Sequence, residues 1–145
     1  MITQEGASVI NNVVIKNSTY YPYSAGKYLL QNKASNSIRM TIDSCTFYGF
    51  TYAILDNQAG GFEVNISNTI FGGIGTKRKF AQEISSCIIE KCENVFLASG
   101  NSFESTIGEQ VLEYSDEDLF NAPSAYDFTV KVADYKNFGD PYWNK

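Results

Sequence analysis

Chemistry in a protein starts from groups that move protons, attack or coordinate, and this chain lacks the most versatile of them. It contains no histidine, which removes the commonest general base, the commonest metal ligand and every Ser-His or Cys-His nucleophile system. Carboxylates remain, and Asp116-Glu117-Asp118 is their densest run. Glycoside hydrolysis needs two carboxyl groups facing one bond across about 5–9.5 Å. Consecutive side chains diverge, so this run reads as an acidic turn. Gly72-Gly73-Ile74-Gly75 is glycine-rich, but no helix follows and the Gly-Lys-Ser/Thr of a phosphate loop is missing, so it also reads as a turn. The basic run Lys77-Arg78-Lys79 reads as a solvated loop. No catalytic residue, metal ligand or cofactor is assigned.

The tyrosines offer a different chemistry. Tyr20-Tyr21-Pro22-Tyr23 through Tyr28, and Tyr48-Gly49-Phe50-Thr51-Tyr52, are clustered aromatic stretches. Rings on adjacent loops make a platform on which sugars stack while flanking polar groups meet hydroxyls. Tyr21, Tyr23, Tyr48 and Tyr52 are the candidate glycan-binding residues. The plainer alternative puts Tyr20 in a core column and the remaining rings over coil edges.

Such loops need a repeating scaffold, and the sequence contains one. Four segments align without gaps: Val13 to Tyr20, Met40 to Phe47, Val64 to Phe71 and Gln82 to Ile89. They share apolar-x-Ile-x-(Asn/Ser)-small-x-(aromatic/Ile), with Gln82 breaking the first apolar column. A period of two before the Asn/Ser marks a strand with one buried face. The short polar residue then supplies a bend. A second repeat relates Tyr28-Leu29-Leu30-Gln31-Asn32 to Ala53-Ile54-Leu55-Asp56-Asn57 and, less closely, to Val95-Phe96-Leu97-Ala98-Ser99. In-register strand repeats at unequal spacing predict an all-β chain, a right-handed parallel β-helix with an irregular C-terminal cap. An antiparallel sandwich also shows many short alternating strands, but not the in-register repeat.

The alignment places Cys45 and Cys87 in one column, two strand steps or roughly 9–10 Å apart. A disulfide needs Cα atoms within about 7 Å, so both are expected as buried free thiols. Cys92 falls outside the pattern. Residues 1–9 read as a terminal tail or remnant, 10–109 as the coils, and 110–145 as a capping segment of the same domain. The cap contains the strand-like Gln110-Val111-Leu112-Glu113-Tyr114 and Asp127-Phe128-Thr129-Val130-Lys131, with Trp143 as an anchor for the last coil.

The net charge of −5 and pI near 4.6 argue against nucleic acid. No 18-residue apolar stretch spans a membrane. The opening Met1-Ile2-Thr3-Gln4-Glu5 lacks a signal peptide's basic and apolar regions. A solenoid needs covering at both ends, so the chain is expected to be a fragment of a longer protein.

The tail Asp118-Leu119-Phe120, Asp127-Phe128-Thr129-Val130-Lys131 and Gly139-Asp140-Pro141-Tyr142-Trp143 resembles the ending of pectate-lyase-like β-helix proteins of gut bacteria. There a DLF…DFTLK…GDPRW pattern closes the solenoid; Tyr142 stands where that group usually has Arg. The resemblance implies a secreted or surface protein of polysaccharide utilisation, in a region whose function is undefined. Enzymes of the wider group use an Arg or Lys base with calcium held by acidic residues. Arg39 or Arg78 with Asp43 and Asp56 would be the counterparts. However, Arg39 and Asp43 fall at outward strand positions, Asp56 starts a turn, and Lys16, Asp43, Ser67 and Ser85 form no acidic ladder. The expected role is therefore a noncatalytic region that binds glycan or caps a longer solenoid, with a polysaccharide and an upstream domain of the same protein as partners. Two alternatives are part of a lyase or hydrolase whose catalytic coils lie upstream, and a structural or adhesive solenoid such as a tail-spike segment.

Overall fold

The computed structural model describes residues 2–5, 9–22 and 28–144. Eleven strands are present among them. In chain order they are β1 (Ile2–Gln4), β2 (Asn12–Tyr20), β3 (Leu30–Asn32), β4 (Ile38–Tyr48), β5 (Ala53–Asn57), β6 (Phe62–Gly72), β7 (Lys79–Ala81), β8 (Cys87–Ser99), β9 (Gln110–Ser115), β10 (Phe120–Ala122) and β11 (Asp127–Val130). Two parallel sheets, ordered β1-β3-β5-β7 and β2-β4-β6-β8-β9, wind around a common core. The chain is a parallel β-helix, as the repeat predicts.

The long strands of the second sheet each bend once, at Asn17, Ser44, Asn68 and Asn94, which have φ of 49°, 53°, 50° and 52°. Left-handed backbone is costly for most residues and least so for Asn and similar short polar residues. Repeating it at one position turns each strand through the same corner. Before the corner, Val13, Met40 and Val64 form one inward column, and Ile15, Ile42 and Ile66 the next. Beyond it, Tyr20, Phe47, Phe71 and Leu97 stack inward. The Phe47 and Phe71 rings lie 5.1 Å apart and nearly parallel.

The fourth long strand, β8, departs from the gapless alignment. Val64 pairs with Ile89, but Asn65 pairs with Lys91, so Glu90 is an extra residue in a bulge. The true repeat runs through Cys92, Glu93, Asn94, Val95, Phe96 and Leu97. Gln82 to Ile89 is not a coil repeat: it contains a 3₁₀ turn, Ile84–Ser86, and only the start of β8. Cys92 therefore lies inside the pattern, opposite Ile66 in the isoleucine column, and Cys87 sits beside Phe62 and not in Cys45's column. Val95 to Ser99 belongs to the long sheet. The strand that follows β5 in the short sheet is β7, which pairs Ala53 with Lys79 and Leu55 with Ala81. By contrast, Leu30, Gln31 and Asn32 face Leu55, Asp56 and Asn57, as the second repeat requires.

Beyond β9 the chain turns through a one-turn helix, Asp116–Leu119, capped by Ser115, whose Oγ accepts from the Asp118 N–H. β10 and β11 then form an antiparallel pair. This segment lies along the flank of the long sheet, where Leu119, Phe120, Phe128 and Val130 bury Ile70 and Phe96. The chain ends in a clasp. Gly139 N–H donates to the Asn68 carbonyl (2.9 Å) and Asp140 N–H to Thr46 Oγ1 (3.0 Å). Thr19 Oγ1 donates to Asp140 Oδ2 (2.7 Å) and accepts from Trp143 Nε1 (2.6 Å). Trp143 is an anchor, but for the first coil and not the last. At Gly139, with φ +79°, a β-carbon would stand 2.6 Å from Thr46 Oγ1, so only glycine allows the approach.

Two expectations follow. Asp43 accepts hydrogen bonds from Asn68 Nδ2 (3.0 Å) and Ser67 Oγ (2.9 Å) and pairs with Lys16 (3.6 Å). The bond from Asn68 leads the causes that lower its pKa. A lowered folded pKa stabilises above the unfolded carboxylate value of about 3.9 and ceases to do so as pH falls through the folded value. The stability gap between wild type and Asp43→Asn in urea melts is thus expected to be constant near neutrality and to close below about pH 4. For the clasp, Thr19→Val and Trp143→Phe each lower stability by about 1–3 kcal/mol. In a double-mutant cycle the two losses overlap instead of adding, because both remove the same bond.

Candidate functional site

Of the tyrosines singled out by sequence, Tyr21 and Tyr48 lie together and Tyr52 packs elsewhere, against Tyr28. Tyr23 lies outside the described residues. Tyr21 stacks on Tyr48 with ring centres 6.0 Å apart, and the edge of Tyr126 meets Tyr21 at 4.8 Å. Tyr48 also meets Phe120 and Phe128 of the flanking segment. Burial, followed by the carboxylates of Asp116 and Glu117, pushes the Tyr48 hydroxyl up to about 12. This pair joins the flanking segment to the coils, although Tyr21 keeps 41% of its surface exposed. Tyr52, at the other end of the same connection, is 48% exposed. Its ring meets Tyr28 edge-on at 5.5 Å. Burial and the Asp56 carboxylate, with Tyr52 itself, raise Tyr28 to about 12.

Tyr52 borders a surface groove. A hollow of about 180 Å³ is walled by Thr51, Tyr52, Lys77, Arg78, Gln82 and Glu104. A second, of about 230 Å³, continues past Phe80, Glu83, Ile84 and Ser105. Lys79, Gln82 and Glu104 line both, so the two form one groove. Its cause lies in the topology. β7 is the last strand of the short sheet, and the chain returns past it only as a single bridge between Arg78 and Phe103. From Lys79 onward, the groove occupies the place of the next strand.

The basic run is better anchored than a solvated loop. Arg78 donates through Nε to the Ile74 carbonyl (2.8 Å) and through Nη1 to the Thr51 carbonyl (3.0 Å). Lys77 holds a left-handed φ of 54° and donates its N–H to Ser102 Oγ (2.9 Å). Lys79 begins β7 and donates to the Gln82 carbonyl (3.3 Å). Gln82 is the unusual residue. Its side-chain oxygen is buried and has no hydrogen-bond partner, alone in this among the described residues. In sequence Gln82 stood out only as a break in an apolar column, but it does not belong to that column, where Ile89 faces Val64. Gln82 follows β7 and lines the groove.

The other candidates are occupied by the fold. Arg39 pairs with Glu63 on the exposed sheet face (3.4 Å). Asp56 is not at the start of a turn but within β5, fully buried, accepting from Gln31 and Gln58. The acidic run splits. Asp116 accepts from Gly73 N–H and Asn101 Nδ2, whereas Asp118 accepts from Ser115 Oγ. The amides of Ile74 and Gly75 both donate to Asn101 Oδ1, so the glycine-rich turn is filled from within. Burial pushes the Cys87 and Cys92 thiols up to about 11, which keeps them protonated at neutral pH. Among the described residues, no three acidic or cysteine side chains converge as metal ligands, and no helix is long and apolar enough to cross a membrane. The chain matches no family model, no curated protein and no solved structure.

A buried acceptor without a donor destabilises the free protein. Gln82→Met, which keeps the length and removes that oxygen, is expected to raise stability by about 1 kcal/mol, read as a higher urea midpoint at unchanged m.

Proposed function

We propose that this chain is a noncatalytic β-helix region of a secreted or surface polysaccharide-processing protein, and that it binds glycan in the groove along β7. The observation that carries the reading is the unsatisfied Gln82 oxygen, buried in a groove beside a half-exposed tyrosine ring. A sugar meets both needs at once. Its hydroxyls bond the Gln82 amide as that side chain turns from its buried position into the groove it lines, and its C–H face lies on the ring of Tyr52. The open edge of β7 gives the groove an extended shape suited to successive residues of a polymer. The polysaccharide setting itself rests on the resemblance of the Gly139 to Trp143 tail. A closing role within a longer solenoid is compatible with this reading, since Phe103 and Ile107 are buried against the last coils in the core.

Native affinity electrophoresis in gels containing pectins, other plant polysaccharides or host-type glycans, with and without calcium, tests the reading. One or more gels should retard the protein. Tyr52→Ala and Gln82→Met should each relieve the retardation several-fold, a ring contact being worth on the order of 1 kcal/mol. Tyr21→Ala should loosen the flanking segment and leave retardation intact. Unchanged mobility in every gel would leave the chain a structural element.

A further inference from the structure

The charges lining the groove say more about the ligand. The chain carries a net charge of −5, yet the smaller hollow is walled by Lys77, Arg78 and Lys79 against the single carboxylate of Glu104. Ion pairs among the described residues engage Lys16, Lys33, Arg39 and Lys91, on other surfaces. None engages the three cations of the groove. Their backbones are held in place nonetheless. Arg78 is held by two main-chain carbonyls, Lys77 by its left-handed backbone and the Ser102 hydroxyl, and Lys79 by β7. Three cations lining one hollow repel one another, and an entering anion relieves that repulsion.

We propose that the glycan bound along β7 carries an anionic substituent, a carboxylate or a sulfate ester, seated against Lys77 and Lys79 while the neighbouring ring lies at Tyr52 and a hydroxyl meets Gln82. This rests on the glycan reading above and specifies its ligand class. Lysine suits such a group: its ammonium is a compact point charge with three rotatable donors, which tolerates an anion on an otherwise flexible polymer. The rest of the surface supplies the selectivity. An acidic protein repels polyanions generally, so an anionic polymer is retained only where the local sign is reversed.

Matched polymers decide the matter: dextran against dextran sulfate, and methyl-esterified pectin against polygalacturonate, each in affinity gels at several NaCl concentrations. The expected result is retention by at least one charged polymer and not by its neutral counterpart, weakening as salt rises. The double variant Lys77→Asn/Lys79→Gln should cut retention roughly tenfold at low salt. Asn is chosen at position 77 because it tolerates the left-handed backbone there, and an unchanged urea midpoint confirms folding. Which charged polymer binds separates sulfate from carboxylate. Retention in which every charged polymer that binds is matched by equal retention of its neutral counterpart overturns the anionic inference and leaves the glycan reading standing. Retention of a polyanion that survives the double variant also overturns it, by placing the anion elsewhere. No retention in any gel overturns both.

Discussion

Everything in this molecule depends on each coil bending at the same residue. A parallel stack works only if every inward side chain lies over its counterpart about 4.8 Å away. A corner displaced by one residue would turn an entire column from core to solvent. The left-handed residues Asn17, Ser44, Asn68 and Asn94 meet that requirement. They also bond from coil to coil. Asn94 Nδ2 donates to Asn68 Oδ1 (3.1 Å), and Asn68 Nδ2 donates to Asp43 Oδ1. Polar groups that the corner would strand at the surface thereby become a ladder that holds the corner in register.

Where the corner is kept, the chain tolerates irregularity elsewhere. The Glu90 bulge adds a residue to β8, and still Asn94 sits 26 residues after Asn68 and directly beside it. The connections between sheets vary freely for the same reason. One of them brings Tyr48 to the flank and Tyr52 to the groove within a few residues of chain. The groove itself follows from the short sheet ending at β7 while the long sheet adds β9. A difference of one strand between two sheets of the same solenoid leaves an open edge, and that edge is where charged and aromatic side chains collect.

The fold was legible because its signal is an in-register repeat, and the first three long strands carry it without a gap. Legibility ended at the fourth, β8. The inserted Glu90 broke the true repeat, and the unrelated upstream segment Gln82 to Ile89 matched it falsely with Ser86 in the place of Asn94, so Cys92 looked irregular and Val95 to Ser99 looked like a short-sheet strand. The inward Tyr20, Phe47 and Phe71 column was readable from alternation; its fourth member, Leu97, was hidden by the same slip. The tyrosines show a different limit. Sequence identified aromatic loops, but whether a ring joins segments or faces water depends on what returns from about a hundred residues away, as Phe120, Phe128 and Tyr126 do over Tyr21 and Tyr48. Gln82 entered only as the exception in a column to which it does not belong, because the segment aligned there was not the coil repeat.

The clasp at Asp140 and Trp143 changes how the solenoid carries load. In a simple stack, tension applied at one end peels coils away one after another, each giving way at the force its own edge can bear. Here the tail runs back along the flank and is fastened to Thr19 on the first coil, with Thr46 and Asn68 as intermediate rivets. Tension applied beyond Trp143 enters the stack at β2 and is borne as shear by hydrogen bonds loaded together across several coils. The molecule behaves less like a zipper than like a bundle tied along its length.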